Sequence, residues 1–251
     1  MAARTDNVDD PVLARALLLM RRGQAFWARE LRQVEDEGFD APSLLPGWTR
    51  RMVVAHVGFN ARALARLVRW ARTGIETPMY ESEAQRAREI EFGASLPAEA
   101  LRHLSVHAAV HLNVELRDLP SEAWSRTVRT AQGREVPVSE VVWMRTREVW
   151  LHAIDLAHGA RFDDLPPRLL QLLLEDIPAV WARRRAAGDP VIRLAPDDAR
   201  LAAPARGAAA ASDTDAVVRG SAAALVAWGT GRGAAGVREA SGRLLQPPRW
   251  L

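Results

Sequence analysis

Up to about residue 187, apolar residues recur at spacings of three and four, the interval that lines them up along one side of an α-helix. Leu13, Leu17, Met20, Trp27, Leu31 and Val34 make one such stripe between Asp10 and Glu37. The segment APSLLPGW then breaks the pattern with two prolines and a glycine. A second helix is predicted from Thr49, a residue able to cap free N–H groups, to about Thr73, with Trp48 placed to fold back on Val53. On it Val53, Val57, Asn60, Leu64 and Ala71 share a face, and His56 lies at the edge of that face.

The loop TGIETPMYES follows, then helices over Glu83–Phe92 and from Pro97 to about Asp118. TVRTAQGREVPV, with a Gln-Gly turn between β-branched residues, predicts a hairpin or extended excursion. Another helix runs from about Val138 to His158 and stops at Gly159, and one more from Pro166 to about Arg185. Beyond that the pattern changes. VIRLAP and ARLAAP predict short strands, ARGAAAASD a loop, and SAAALVAWGTGR a helix ending at Gly231 or Gly233. The expectation is a mainly α protein: a helical bundle over 1–187 and a small α+β domain over 188–251.

Composition narrows the chemistry. Six histidines and no cysteine exclude a disulfide framework, a thiolate metal site and a cysteine nucleophile, so any thiol must come from outside. The isoelectric point near 10.6 suggests a nucleic-acid partner. Yet all 34 basic residues are arginine, the formal charge is only +3, and the acids are spread along the chain. No basic stripe able to displace counterions from a duplex is visible, and no nucleic-acid partner is expected. MAARTDNVDDP carries three acids and no apolar core, and no stretch reaches the roughly 18 apolar residues of a membrane span. The expected setting is cytoplasmic, without a membrane partner; the oligomeric state is open, and a monomer is compatible with the sequence.

The fifth helical stretch carries Val141, Met144, Glu148, Leu151 and Asp155 on one stripe, with His152 at its flank. Two carboxylates in an apolar stripe require partners, because an unpaired buried carboxylate is costly. Glu148 and His152 sit four apart and can reach one ion, and His56 on a facing helix would complete a three-ligand site with a position open for substrate. By spacing alone the plainer alternative leads: Glu148 pairs with Arg145 or Arg147, and His152 is an ordinary half-buried histidine. His103, His107 and His111 also lie four apart, but Leu101, Leu104, Ala108 and Leu112 face away from them, which favours a solvated row. Asp155 can orient His152 or pair with an arginine. Tyr80 and Arg86, beside the ETPMY loop, are candidates for substrate contact or for a structural role.

Several segments resemble the mycothiol-dependent maleylpyruvate isomerases, a branch of the DinB-like metal-binding bundle superfamily. They are LLPGWTRRMVVAHVGFNARAL at 44–64, WARTGIETPMYES at 70–82, WMRTREVWLHAIDLAHGA at 143–160, VRGSAAALVAWGTGRG at 218–233 and the ending PPRWL. The resemblance implies a DinB-like four-helix-type bundle whose metal ligands are His56, Glu148 and His152, with one zinc ion and mycothiol as cofactors. It places a catalytic arginine at Arg232, in the Trp-x-x-Gly-Arg motif of the C-terminal domain. Two positions depart from the family pattern: Arg51-Met52 replaces a more common Gly-His pair, and Gly229 stands where leucine is usual. The latter is expected to loosen a helix carrying Arg232, since glycine costs about 1 kcal/mol in a helix interior.

The implied reaction is conversion of maleylpyruvate to fumarylpyruvate, a step of gentisate-type aromatic degradation, by addition and elimination of a zinc-bound thiolate. Arg232 would stabilise the enolate or grip a carboxylate. Two rivals stand beside it. In mycothiol S-transfer the thiol attacks a small electrophile and stays attached; in a non-catalytic protein the C-terminal domain carries a small ligand.

Overall fold

The computed structural model describes residues 5–186, 190–198, 201, 216–239, 242 and 245–250. Its helices are α1 (Pro11–Gln33), α2 (Arg50–Thr73), α3 (Glu83–Ala94), α4 (Ala98–Arg117), α5 (Glu140–Asp155), α6 (Pro167–Arg184) and α7 (Ala222–Gly229). The strands are β1 (Thr127–Arg129), β2 (Glu135–Pro137), β3 (Ile192–Pro196), β4 (Ala216–Gly220) and β5 (Val237–Glu239). The chain forms two compact units, Met1–Ala160 and Arg161–Leu251.

In the first unit α2 packs against α3, α4 and α5, and α1 lies along α5. The ends of α1 and α2 follow from local chemistry. Asp10 Oδ1 accepts from the N–H of Val12 at 2.8 Å, and Thr49 accepts from that of Met52, so each helix starts where a side chain can satisfy an orphan donor. Helix α2 stops at Gly74, whose φ of 75° lies in the left-handed region. Because it is covered on several sides, α2 buries far more than one stripe: Val53, Val54, Ala55, Val57, Ala61, Ala63 and Leu64 have no exposed surface. Two glycines let the helices come close. A Cβ on Gly93 would fall 2.6 Å from the Ala55 Cβ, and one on Gly58 2.8 Å from Leu104. The TVRTAQGREVPV segment is a hairpin, with β1 and β2 antiparallel, Val128 opposite Val136, and Gly133 at a φ of 77° in its turn.

In the second unit β3 runs parallel to β4 and β5 antiparallel to β4, giving a three-stranded sheet with order β3-β4-β5. Ser221 caps α7 by accepting from the N–H of Ala224. Helix α6 packs on α7, with Trp181 and Trp228 edge to face at 5.8 Å.

Three sequence expectations change, and a fourth falls outside the described residues. The division of the chain falls at 160/161, not 187/188, because the apolar face of α6 (Ile177, Trp181) is covered by α7. Helix α5 ends at Asp155, short of His158 and Gly159: Ala157 takes the left-handed conformation with a φ of 51°. The guanidinium of Arg50, in the first turn of α2, there donates to the carbonyls of Leu156 and Ala157 at 2.6 and 2.9 Å. Helix α7 closes at Gly229, so Arg232 sits in the turn beyond it rather than on a helix. Gly229 is also where α7 approaches α6, since a Cβ there would lie 3.1 Å from Ile177 Cγ2. The strand expected in ARLAAP falls outside the described residues except for Leu201, which is not in a strand. Among the described residues no helix is long and apolar enough to cross a membrane.

Candidate metal centre

His56, in the second turn of α2, is only 7% exposed, and Glu148 and His152 project from α5 four residues apart. The two helices bring their ends together. Nε2 of His56 lies 2.9 Å from Glu148 Oε2, and Nε2 of His152 lies 3.1 Å from the same oxygen. The two imidazole rings stand edge to face, with centroids 5.0 Å apart and planes at 89°. One donor atom from each residue falls within 4.8 Å of the other two. The donors of a tetrahedral zinc ion lie roughly 3.3 Å apart, so these three need little movement to share one cation. Two imidazole nitrogens and a carboxylate are a donor set suited to zinc that leaves a fourth position for substrate or water. No fourth His, Asp or Glu completes the cluster among the described residues.

Behind the ligands the polar contacts are specific. Asp155, with no exposed surface, holds the Nδ1–H of His152 at 2.7 Å, which turns the lone pair of Nε2 toward the cluster. His56 Nδ1 faces Arg86 Nη2 at 3.4 Å, and Trp48 lies edge-on to the His56 ring at 5.7 Å. Arg145, 1% exposed, donates to the Val57 carbonyl at 2.8 Å, to Asn60 Oδ1 at 3.2 Å and to Gln24 Oε1 at 2.9 Å. It thereby ties α5 to α1 and to the turn of α2 that bears His56. Arg50 supplies a second tie between the start of α2 and the end of α5.

These surroundings pull the ionisations apart. Burial, more than the counteracting pull of Glu148, holds His56 below the usual imidazole value and therefore neutral at pH 7. His152 goes the other way: burial opposes its charge, but its bonds to Asp155 and Glu148 together raise it to about 9. Glu148, despite its burial, is kept well below the usual carboxylate value by His56 and His152. A divalent ion would take the place of the proton on His152.

The structure thus brings together all three ligands expected from the sequence and sets Asp155 behind one of them. Glu148 makes no bond to Arg145; its hydrogen bonds go to the two histidines, and Arg145 satisfies itself on neutral acceptors. His103, His107 and His111 are exposed, with the first two rings stacked at 5.9 Å and His111 beside Glu115. Arg232, half-buried, bonds through its backbone N–H to the Ala227 carbonyl at 2.8 Å and through Nη1 to that of Thr230 at 3.0 Å. The tying roles of Arg50 and Arg145 went unread in the sequence. Asn60 on the apolar face of α2 was the visible signal, because a polar side chain there needs a buried partner.

Residues 20–157 match the family described as the mycothiol maleylpyruvate isomerase N-terminal domain. The chain belongs to that family. Two solved structures are similar over 96% of this chain and 98% of theirs, each with 42% sequence identity. One is the mycothiol-dependent maleylpyruvate isomerase, at a TM-score of 0.86, and the other a histidine-to-alanine mutant of that enzyme, at 0.87. None of the curated proteins matches the chain. For a mycothiol maleylpyruvate isomerase family member, a His-Glu-His cluster joining the second and fifth helices is the site that asks for a chemical account.

Proposed function

We propose that this chain catalyses the mycothiol-dependent cis–trans isomerisation of maleylpyruvate to fumarylpyruvate, within gentisate-type aromatic degradation. The observation that carries the reading is the convergence of His56, Glu148 and His152 on one point, with Asp155 orienting His152 from behind. Membership of the family, and 42% identity to a mycothiol-dependent maleylpyruvate isomerase over nearly the whole chain, support this substrate pair.

The isomerisation needs a nucleophile that adds to one carbon of the double bond, lets the resulting single bond rotate, and leaves again. Zinc bound by the three ligands would supply a deprotonated, positioned thiol at neutral pH, where a free thiol is mostly protonated. This chain, with no cysteine, cannot furnish that sulfur itself. Its own residues do the rest. His56, neutral and buried, and His152, oriented by Asp155, present nitrogen lone pairs to one cation. Glu148 contributes the negative charge that makes this position selective for a cation. Arg232 of the C-terminal unit is assigned the negative charge that develops on the substrate carbonyl when sulfur adds, a task suited to a guanidinium fork.

The test is a mass spectrum of maleylpyruvate incubated with the protein, with and without mycothiol. Complete conversion to the trans isomer by a trace of thiol, with the thiol recovered, is the expected result. Stoichiometric loss of thiol into an adduct would assign S-transfer instead, and no reaction with either would overturn the reading.

A further inference from the structure

The first turns of α3 place Arg86 over the His56 side of the metal centre, 3.4 Å from Nδ1 of that ring. The Tyr80 phenol lies near the same guanidinium, and the Tyr80 ring packs on the core of the first unit. Other arginines of the first unit have their donors taken up: Arg66 meets Glu89, Arg72 meets Glu115, Arg51 meets Asp40 and Arg102 meets Asp36, while Arg50 and Arg145 bond to carbonyl and amide oxygens. Among the described residues Arg86 makes no ion pair; its side chain meets an imidazole and a phenol. The carboxylate of Glu148 is already shared by the two histidines.

A half-buried guanidinium with no anion beside it is poised for one supplied from outside. The chemistry of His56 sharpens this point. Nδ1 can accept from Arg86 only while the ring proton is on Nε2. With Nε2 given to a cation, Nδ1 must carry the proton, and two donors then face each other. The fork of Arg86 then loses its acceptor on His56, with the Tyr80 phenol nearby. Burial first of all raises the Tyr80 phenol to about 12, so it stays a neutral donor that can help hold an anion.

We propose that Arg86, with Tyr80 nearby, forms a carboxylate-binding subsite beside the metal centre, and that it takes one end of a small dianionic substrate. The inference rests on the reading above insofar as that substrate is a dicarboxylate. It adds an anchor in the N-terminal unit, separate from Arg232.

The experiment uses the full chain loaded with zinc, the variants Arg86→Ala, Arg86→Lys, Arg86→Gln and Tyr80→Phe, and maleate as an unreactive dicarboxylate probe. Zinc content, the maleate dissociation constant by calorimetry, and kcat and KM are measured on each. Arg86→Ala and Arg86→Gln should retain zinc yet weaken maleate binding and raise KM about 10- to 100-fold, the worth of a lost charge-assisted contact, with kcat changed much less. Arg86→Lys should recover part of this, and Tyr80→Phe should lose several-fold. Wild-type maleate affinity in zinc-replete Arg86→Gln would overturn the subsite, as would absence of maleate binding to the wild type. Zinc loss with unchanged maleate affinity would make Arg86 a support for His56 and overturn it equally. Maleate binding that depends on Arg86 in a protein inactive on maleylpyruvate would keep the subsite and sink the isomerase reading; an active enzyme indifferent to Arg86 would do the reverse.

Discussion

Asp155 has no exposed surface, and its carboxylate accepts the Nδ1–H of His152 at 2.7 Å, one turn along the same helix. The bond fixes which ring nitrogen is free and where it points. It also leaves a buried negative charge whose partner is that imidazole. Asp155→Asn should therefore keep the fold but weaken zinc binding about 10- to 100-fold, the usual cost of losing a group that orients a ligand. Competition with a chromophoric chelator measures it; unchanged affinity would remove Asp155 from the site.

Ionisation of the cluster makes the metal-free protein sensitive to pH in a defined direction. His152 is raised to about 9 from an ordinary 6.5, so its charged form is favoured by folding. That contribution is complete below about pH 6.5 and is lost as pH rises through about 9. Glu148 is lowered, so its contribution is present above about pH 4.5 and disappears as pH falls through its depressed value. Urea midpoints of metal-free protein should therefore fall from pH 6.5 to 9. Zinc loading at pH 7.5 should release close to one proton, taken from His152 because His56 is already neutral. Calorimetry in two buffers of different ionisation enthalpy reads the proton count, and a count of zero would contradict this account.

Arg145 donates to Val57, Asn60 and Gln24 from a position that is 1% exposed, where burial lowers it to about 10 without discharging it at pH 7. Arg145→Met fills the volume but strands those acceptors, at about 1–3 kcal/mol for each one left unsatisfied. Since Val57 follows His56, zinc affinity should fall along with stability. Denaturant titration with and without zinc tests both effects, and a neutral substitution would show that water takes over these bonds.

Gly93 sets how closely α3 approaches α2. An added methyl would lie 2.6 Å from the Ala55 Cβ and 2.8 Å from Phe59, so Gly93→Ala must push the helices apart. The expected cost is about 1–3 kcal/mol, despite the better helix propensity of alanine. Because α3 carries Arg86, maleate affinity should drop as well. Thermal melting at wild-type temperature would mean that the contact is more yielding than its geometry implies.

The helices of the first unit are legible one by one because the signals are local. Asp10, Thr49 and Gly74 start or stop helices through hydrogen bonds and dihedral freedom available within a few residues. The four-residue step from Glu148 to His152 likewise settles that both side chains leave one side of α5. Family resemblance then points to His56 as the third ligand, but nothing local to α2 or α5 decides that Nε2 of His56 comes 2.9 Å from Glu148. That distance depends on packing between helices far apart in sequence, through Gly93 against Ala55, Arg145 against Val57, and Arg50 on the carbonyls that end α5. The Arg50 contacts also cap α5 earlier than its sequence indicated, and in the second unit α6 packs on α7. By itself, the sequence determined which side chains could bind a cation and which periodic faces would be buried. Tertiary structure decided which nitrogens meet, which acceptors each arginine finds and which ionisations shift, because those depend on burial and on partners brought together only when the helices pack.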